Sequence, residues 1–304
     1  MNQVSNNSSP WAGWLLMLIV LFAQCREGAN PPITNPDGFS LTRGQGMLEW
    51  STPDGATTEV LDVHYYVPLN EDIESMPILF VFHGAERNAG AYINAMKGLA
   101  ETAGCILVAP NFSETDYPGS TGYQQGNLIA GASVRPEEEW LFHLIDPLFD
   151  EVLVRLGVLK PTYDVWGHSG GGQFVHRFML LANEPRVRMA VAANAGWYTL
   201  PEDASEFPYG LGGIPRSQSD LGGAFSKPLV IHLGTLDNAF MDTPWTGAFA
   251  QGDNRFDRGH YFFNKVQSIA LEEGLNCQWT LEEVEGVGHN YLEMASAAID
   301  LLYP

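Results

Sequence analysis

The sequence predicts an α/β fold: a doubly wound, mostly parallel sheet with helices on both faces and no large lid. Short apolar runs alternate with longer segments in which apolar residues recur at helical spacing. Several runs, such as residues 77–82 and 105–110, are apolar almost throughout, which is typical of strands buried on both faces of a parallel sheet. With 304 residues, 45% of them hydrophobic, the chain is long enough for one large domain, and it shows no internal repeat.

The N-terminal segment is expected to lie outside that fold. Residues 11–23 are apolar and uncharged, a stretch too short to span a bilayer comfortably but typical of the core of an export signal. Cys25 follows closely, so residues 1–25 resemble either an ordinary secretory signal or a bacterial lipoprotein signal with a lipidated Cys25. Residues 26–40 are rich in Pro and Asn and are predicted to be a linker, which leaves 41–304 as the folded domain.

The folded part is predicted to begin with an antiparallel hairpin, residues 48–50 and 60–67, with a turn at Pro53-Asp54-Gly55. The periodicity then predicts further strands at 77–82, 105–110, 163–166, 187–193, 228–234 and 278–284. Helices are expected at about 91–103, 137–156, 173–181, 261–273 and 292–302. Residues 111–131, 199–227 and 242–257 are expected to be irregular.

The segment Gly167-His168-Ser169-Gly170-Gly171 lies between a predicted strand and a predicted helix. A Gly-x-Ser-x-Gly sequence in that context is typical of a nucleophile elbow, a sharp turn that lifts the serine hydroxyl above the edge of the sheet. The glycines are needed because a Cβ two residues before or after the serine would strike the neighbouring strand or helix. Ser169 is therefore the candidate nucleophile.

Ser169, Asp237 and His289 each follow the end of a predicted strand, in that order along the chain. Polar groups at the carboxyl ends of parallel strands collect at one edge of the sheet, where ligands bind and catalysis takes place. In the roles that chemistry requires, Ser169 attacks an acyl carbon, His289 transfers its proton, and Asp237 holds the histidine tautomer and stabilises the imidazolium. These three residues form the predicted catalytic set.

Other residues compete for the histidine and acid roles. The remaining candidate histidines fall in predicted strands (His64, His232), in predicted helices (His143, His176), in the elbow (His168) and at a helix start (His260). Only His289 ends a strand after the acid. Asp242 and Asp253 compete with Asp237, which is favoured because it directly follows a buried strand.

An oxyanion hole requires two backbone N–H groups. One is expected from Gly170, the residue after the nucleophile, and the other from the loop after the strand at 77–82. We expect that donor to be the Ala85 N–H, with Glu86 as the second choice, while His83-Gly84 shapes the loop.

Together, His83-Gly84, the elbow, Asp237 and His289 resemble the α/β-hydrolase superfamily, and within it secreted esterases of the polyhydroxybutyrate-depolymerase and feruloyl-esterase type. The resemblance covers roughly residues 60–304. It implies a serine hydrolase that cleaves carboxylic esters through an acyl-enzyme, without a cofactor. The alternatives are a serine peptidase of the prolyl-oligopeptidase type, a polyester or polysaccharide-ester depolymerase, and a binding protein on a hydrolase scaffold.

Substrate contacts are expected from aromatic residues on loops over the elbow. Trp197 and Tyr198 follow a strand end beside it and are the favoured candidates. Five others are expected to pack the irregular loops instead: Tyr117, Tyr123, Phe207, Tyr209 and Trp245. Arginines could bind an acidic group on the substrate, although anchoring of loops is favoured in so acidic a chain; these are Arg87, Arg255 and Arg258.

The formal net charge of −21 argues against a nucleic-acid partner, because such proteins present a basic surface. The expected partner is a small or polymeric ester, with a membrane tether if Cys25 is lipidated. The chain is expected to be an exported monomer: periplasmic, secreted or an outer-membrane lipoprotein. Cys105 and Cys277 could form a disulfide or be small buried residues, and no metal-ligand spacing is present.

Overall fold

The computed structural model describes residues 40–52, 60–69, 72–215, 221–241 and 246–304. Its main sheet has eight strands in the order β1-β2-β4-β3-β7-β8-β9-β10. The strands of this sheet are β1 (Gly44–Trp50), β2 (Leu61–Val67), β3 (Ile78–Phe82), β4 (Ile106–Pro110), β7 (Tyr163–His168), β8 (Val187–Ala193), β9 (Leu229–Gly234) and β10 (Trp279–Val284). A separate hairpin pairs β5 (Ile129–Ala130) with β6 (Ser133–Val134).

The pairing directions confirm a mostly parallel sheet. β1 pairs with β2 and β2 with β4 in antiparallel fashion, whereas β4, β3, β7, β8, β9 and β10 are parallel to their neighbours. The expected N-terminal hairpin is therefore present, although its predicted turn at Pro53-Asp54-Gly55 lies outside the described residues. The carboxyl ends of the six parallel strands share one edge of the sheet.

Helices cover both faces of the sheet, as predicted. They are α1 (Ala89–Ala103), α2 (Gly119–Gly122), α3 (Ile145–Leu156), α4 (Gly170–Leu181), α5 (Leu221–Phe225), α6 (Arg255–Glu272) and α7 (Tyr291–Leu302). Alternate residues of one strand pack into two separate cores: Ile78, Phe80 and Phe82 join α3, α4 and α6, while Leu79 and Val81 join α1 and α7. The continuous apolar run of β3 follows from burial on both sides.

The helix predicted at 137–156 is shorter than expected. Residues 137–144 form two 3-10 segments separated by Trp140, whose backbone is extended, and α3 begins only at Ile145. Pro147 accounts for the difference, because a proline is tolerated in the first turn of an α-helix but its ring clashes with the carbonyl four residues earlier in a helix interior.

Helix α6 begins at Arg255, earlier than the predicted position 261, so His260 lies inside a helix rather than at its start. Asn254 caps this helix: its Oδ1 accepts from the Asp257 N–H at 2.8 Å, and its amide donates to the Asp257 carboxylate at 2.7 Å. Apolar periodicity does not predict this start, because the first two turns of the helix contain several polar residues and Gly259.

The two cysteines of the folded part are both free thiols. Cys105 is buried and Cys277 is half-buried, which favours the expectation of small packed residues over a disulfide. Among the described residues, none of the helices has the length and apolar character that a membrane span requires. The predicted signal, the linker up to residue 39 and Cys25 lie outside the described residues.

Candidate active site

The elbow has the geometry that its glycines predict. Ser169 joins β7 to α4 with φ 57° and ψ −112°, a backbone conformation that L-residues rarely adopt. Its N–H donates to the Ala193 carbonyl at 2.9 Å, which ties the turn to the end of β8. A Cβ at Gly171 would collide with the Phe82 carbonyl oxygen, and one at Gly167 with the Gly171 carbonyl. Close backbone packing therefore holds the serine in this strained position.

Ser169, His289 and Asp237 form a continuous series of hydrogen bonds. His289 Nδ1 lies 2.6 Å from Asp237 Oδ2, and His289 Nε2 lies 3.0 Å from Ser169 Oγ. Since a carboxylate only accepts, Nδ1 carries the hydrogen, and Nε2 is left to accept from the serine hydroxyl. Asp237 is buried, with 6% of its side chain exposed, whereas His289 is 31% exposed and reachable from solvent. This arrangement suits a serine activated by a histidine.

The second carboxylate oxygen of Asp237 also has a partner. Arg255 donates to Asp237 Oδ1 at 3.2 Å, and 22% of the arginine side chain is exposed. A carboxylate with both oxygens bonded has a fixed orientation, so the face that it presents to His289 is held. Of the rival acids, Asp253 accepts from the Met241 N–H through its backbone carbonyl. Asp242 lies outside the described residues.

Buried histidines surround the site without joining the series. The His168 ring lies 4.5 Å from the ring of His289, and burial together with the nearby His289 and Arg255 lowers the pKa of His168 well below its usual value. His176 accepts from the Thr199 N–H at 3.0 Å and is also fully buried, which lowers its pKa in the same way. Both rings are therefore neutral.

The two expected oxyanion donors lie next to each other. A Cβ built on Gly170 would lie 3.0 Å from the Ala85 nitrogen, so the two backbones approach closely. Within the described part of the chain, neither N–H donates to a protein acceptor. Free, adjacent N–H groups beside Ser169 are what an oxyanion hole requires. Glu86, the second choice, is exposed and receives a hydrogen bond from Asn88 at 3.2 Å.

The loop that carries Ala85 is held by His83 and Arg87. His83 Nε2 accepts from the Phe112 N–H at 3.1 Å and Nδ1 lies 2.9 Å from the Gly84 carbonyl, and burial lowers the pKa of His83 to about 4. Arg87 donates to the carbonyls of Phe112, Tyr117 and Gly119 at 2.6–3.0 Å. These bonds attach the loop that carries Ala85 to the segment after β4.

Two of the three arginines anchor loops, as favoured from the sequence, but they do so mainly through backbone carbonyls rather than through the surplus carboxylates that the acidic chain suggested. The buried Arg258 donates to the Gly196 and Gly252 carbonyls at 2.8 and 2.9 Å, much as Arg87 does for its own loop. Arg255 differs, because it pairs with the carboxylate of Asp237 and part of its side chain is exposed. Among the described residues, no group of His, Cys, Asp and Glu could hold a metal ion.

Trp197 and Tyr198 are not the exposed substrate contacts that the sequence suggested. Trp197 is 1% exposed and lies under the guanidinium of Arg177, 4.3 Å from it, while Tyr198 is fully buried and stacks on Phe262 at 4.5 Å. Gln251 also bonds both backbone groups of Tyr198. The chain after β8 thus turns inward between α4 and α6, a direction that position after a strand does not reveal.

Three exposed apolar side chains lie close in sequence to Asp237 and His289. Leu236 precedes Asp237 and is 59% exposed, Phe240 follows it and is 68% exposed, and Leu292 follows His289 and is 41% exposed. Their closeness in sequence to Asp237 and His289 was the available signal. Trp245, one of the aromatic residues that were expected to pack the irregular loops, lies outside the described residues.

Solved structures resemble the chain over most of its length. Poly(aspartic acid) hydrolase-1 from Sphingomonas sp. KT-1 is 38% identical, with 87% of this chain and all of that chain covered and a TM-score of 0.80. A poly(3-hydroxybutyrate) depolymerase from Bordetella parapertussis is 28% identical, with 86% and 90% covered and a TM-score of 0.81. An S-formylglutathione hydrolase from Agrobacterium tumefaciens shares the fold at 17% identity and a TM-score of 0.57.

The fold and these similarities define a hydrolase. The chain belongs to the α/β-hydrolase superfamily of serine hydrolases, and it resembles the polyhydroxybutyrate-depolymerase type within that superfamily. No family model matches the chain, and no curated protein does so either.

Proposed function

We propose that the protein is a serine hydrolase that cleaves carboxylic esters through an acyl-enzyme. The observation that carries the proposal is the hydrogen-bonded series Ser169–His289–Asp237, beside the free N–H groups of Ala85 and Gly170. The similarity to a poly(3-hydroxybutyrate) depolymerase supports an ester as the bond that is cleaved.

In the proposed mechanism, Ser169 Oγ attacks the ester carbonyl carbon while His289 Nε2 takes the hydroxyl proton. The carbonyl oxygen becomes an oxyanion that the N–H groups of Ala85 and Gly170 stabilise. His289 then donates its proton to the departing alcohol, which leaves an acyl group on Ser169. A water molecule then attacks the acyl group in the same way and releases the acid. Asp237 holds the Nδ1 proton throughout.

Labelling with a fluorophosphonate probe and hydrolysis of p-nitrophenyl acetate test this proposal. We expect Ser169→Ala to abolish labelling and to lower kcat by about 10⁴-fold or more, because the nucleophile is lost. Ser268→Ala should behave as the wild type, because Ser268 is an exposed serine on α6 whose hydroxyl donates to Glu272. Labelling of the Ser169→Ala variant, or a wild type that neither reacts nor turns over, would overturn the proposal.

A second candidate is cleavage of amide-linked aspartic acid polymers, which the 38% identity to a poly(aspartic acid) hydrolase favours. The formal charge of −21 repels such a polyanion, so its hydrolysis should accelerate with added salt until the charges are screened. Hydrolysis of a neutral hydroxybutyrate oligomer should depend little on salt. Comparing the two substrates at matched ionic strengths, with an aminoacyl anilide as a test for peptidase activity, decides between the candidates.

We further propose that residues 1–25 direct export and that 41–304 acts as a monomeric catalytic domain. The apolar stretch at 11–23 and the position of Cys25 support the proposed role of residues 1–25 in export. Expression of the full chain in a bacterial host with a radiolabelled fatty acid tests the tether. Label that is retained in a Cys25→Ala variant would exclude lipidation at that residue.

A further inference from the structure

Asn194, which follows β8, has an uncommon backbone conformation for a buried residue. Its φ is 45°, in the left-handed region, and only 1% of its surface is exposed. Asparagine tolerates this region better than most residues, but glycine would adopt it without strain. We therefore looked to the contacts of the Asn194 side chain for the reason that this position is not a glycine.

The Asn194 amide bonds two separate peptide groups. Its Oδ1 accepts from the Gly234 N–H at 2.8 Å, and its Nδ2 donates to the Gly288 carbonyl at 3.0 Å. Gly234 ends β9 shortly before Asp237, and Gly288 directly precedes His289. One buried side chain thus joins the turn that carries the acid to the turn that carries the histidine.

The same point on β8 also holds the elbow. Ala193, the residue before Asn194, accepts from the Ser169 N–H at 2.9 Å, and the Asn194 N–H donates to the His232 carbonyl at 2.9 Å. The acid and histidine turns are bonded to each other as well, for example through the Leu236 N–H and the Val287 carbonyl at 2.9 Å. These two turns form one unit, and Asn194 connects that unit to the strand that positions Ser169.

We propose that Asn194 is a positioning residue that holds His289 and Asp237 at the reacting distance from Ser169. The inference rests on the proposed serine-hydrolase function and adds a fourth residue to it, one that does not touch the substrate. Displacement of a catalytic group by about 1 Å can lower a rate by about 10²-fold, so a link of this kind controls kcat.

Two variants test the proposal. Asn194→Gly removes both side-chain bonds and relieves the left-handed backbone, so any loss of activity cannot come from new strain. Asn194→Asp keeps the shape and the bond to the Gly234 N–H, but its carboxylate cannot donate to the Gly288 carbonyl. Glu184→Gly is the matched control, because exposed Glu184 also has a positive φ, of 46°, and lies outside the turns that carry Asp237 and His289.

We expect both Asn194 variants to lose about 10- to 100-fold in kcat and in the rate of fluorophosphonate labelling, with KM nearly unchanged. Glu184→Gly should keep wild-type values. Circular dichroism shows whether each variant is folded; if Asn194→Gly is not, the isosteric Asn194→Asp decides. Wild-type kcat in a folded variant, or a rise in KM alone, would overturn the role of Asn194. A wild type that is not labelled at all would instead overturn the proposed function.

Discussion

At the scale of single residues, the candidate site depends on backbone atoms that approach closely. The Gly171 Cα lies so near the Phe82 and His83 carbonyls that a Cβ there would meet backbone atoms of β3 and the loop after it. Backbone atoms of a central strand and of the loop that leaves it cannot move aside as a flexible side chain would. Gly171 is therefore required by packing, and not by a positive φ.

Gly171→Ala should lower the free energy of unfolding by about 3 kcal/mol, because the added methyl overpacks the junction of β3 and α4. Urea denaturation measures the change. Gly98→Ala is the control: Gly98 lies exposed within α1, a Cβ there meets nothing within 4 Å, and the change should stabilise by up to about 1 kcal/mol. Equal stability of the two variants would contradict the steric argument.

At the scale of elements, the loop that carries Ala85 depends on a segment that follows β4. Arg87 reaches three carbonyls of residues 112–119 and pairs with Glu114 at 3.1 Å, and its guanidinium lies 4.7 Å from the ring of Tyr123. Tyr123 in turn donates to the His83 carbonyl at 2.8 Å. The two loops therefore form one assembly around the Ala85 N–H.

Arg87→Met should lower kcat/KM for p-nitrophenyl acetate by about 10- to 100-fold, because the Ala85 N–H loses its fixed direction. Steady-state kinetics on folded protein measure the effect. Arg135→Met removes a partly exposed ion pair with Glu139 and should leave the kinetics unchanged. If Arg87→Met retains full activity, the loop assembly does not position the donor.

The strands and helices also show which bounds can be predicted from the sequence pattern. The strands of the sheet start and end within a few residues of their predicted bounds, apart from the earlier start of β1, because continuous apolar runs report burial on both faces. The predicted starts of α3 and α6 were wrong, because Pro147 and the Asn254 cap, rather than apolar spacing, decide where those helices begin.

At the scale of the whole molecule, several buried histidines link stability to pH. Burial lowers the pKa of His83 and that of His232 to about 4, from an ordinary value of 6.5. Between those values the unfolded chain binds a proton that the folded chain does not. The stability that these two neutral histidines contribute is therefore fully present above about pH 6.5 and is lost as the pH falls towards 4.

We expect His83 alone to remove about 2 kcal/mol of unfolding free energy between pH 6.5 and pH 5. Urea unfolding at a series of pH values measures the slope. His83→Gln should reduce the slope, since glutamine can accept from the Phe112 N–H without titrating. His143→Gln, at an exposed position, should leave it unchanged. An equal slope in both variants would contradict this account.

The sequence by itself determined the sheet, the elbow and the order of Ser169, Asp237 and His289, because these depend on local patterns: apolar runs, glycine sterics and the residue that follows each strand. Only the tertiary structure decided which side chains surround them. Trp197 and Tyr198 turn inward, Ala85 meets Gly170, and Asn194 joins two turns, because each depends on contacts between segments far apart in the chain. Such contacts leave no periodic signal, since they are set by how the layers pack and not by neighbours in sequence.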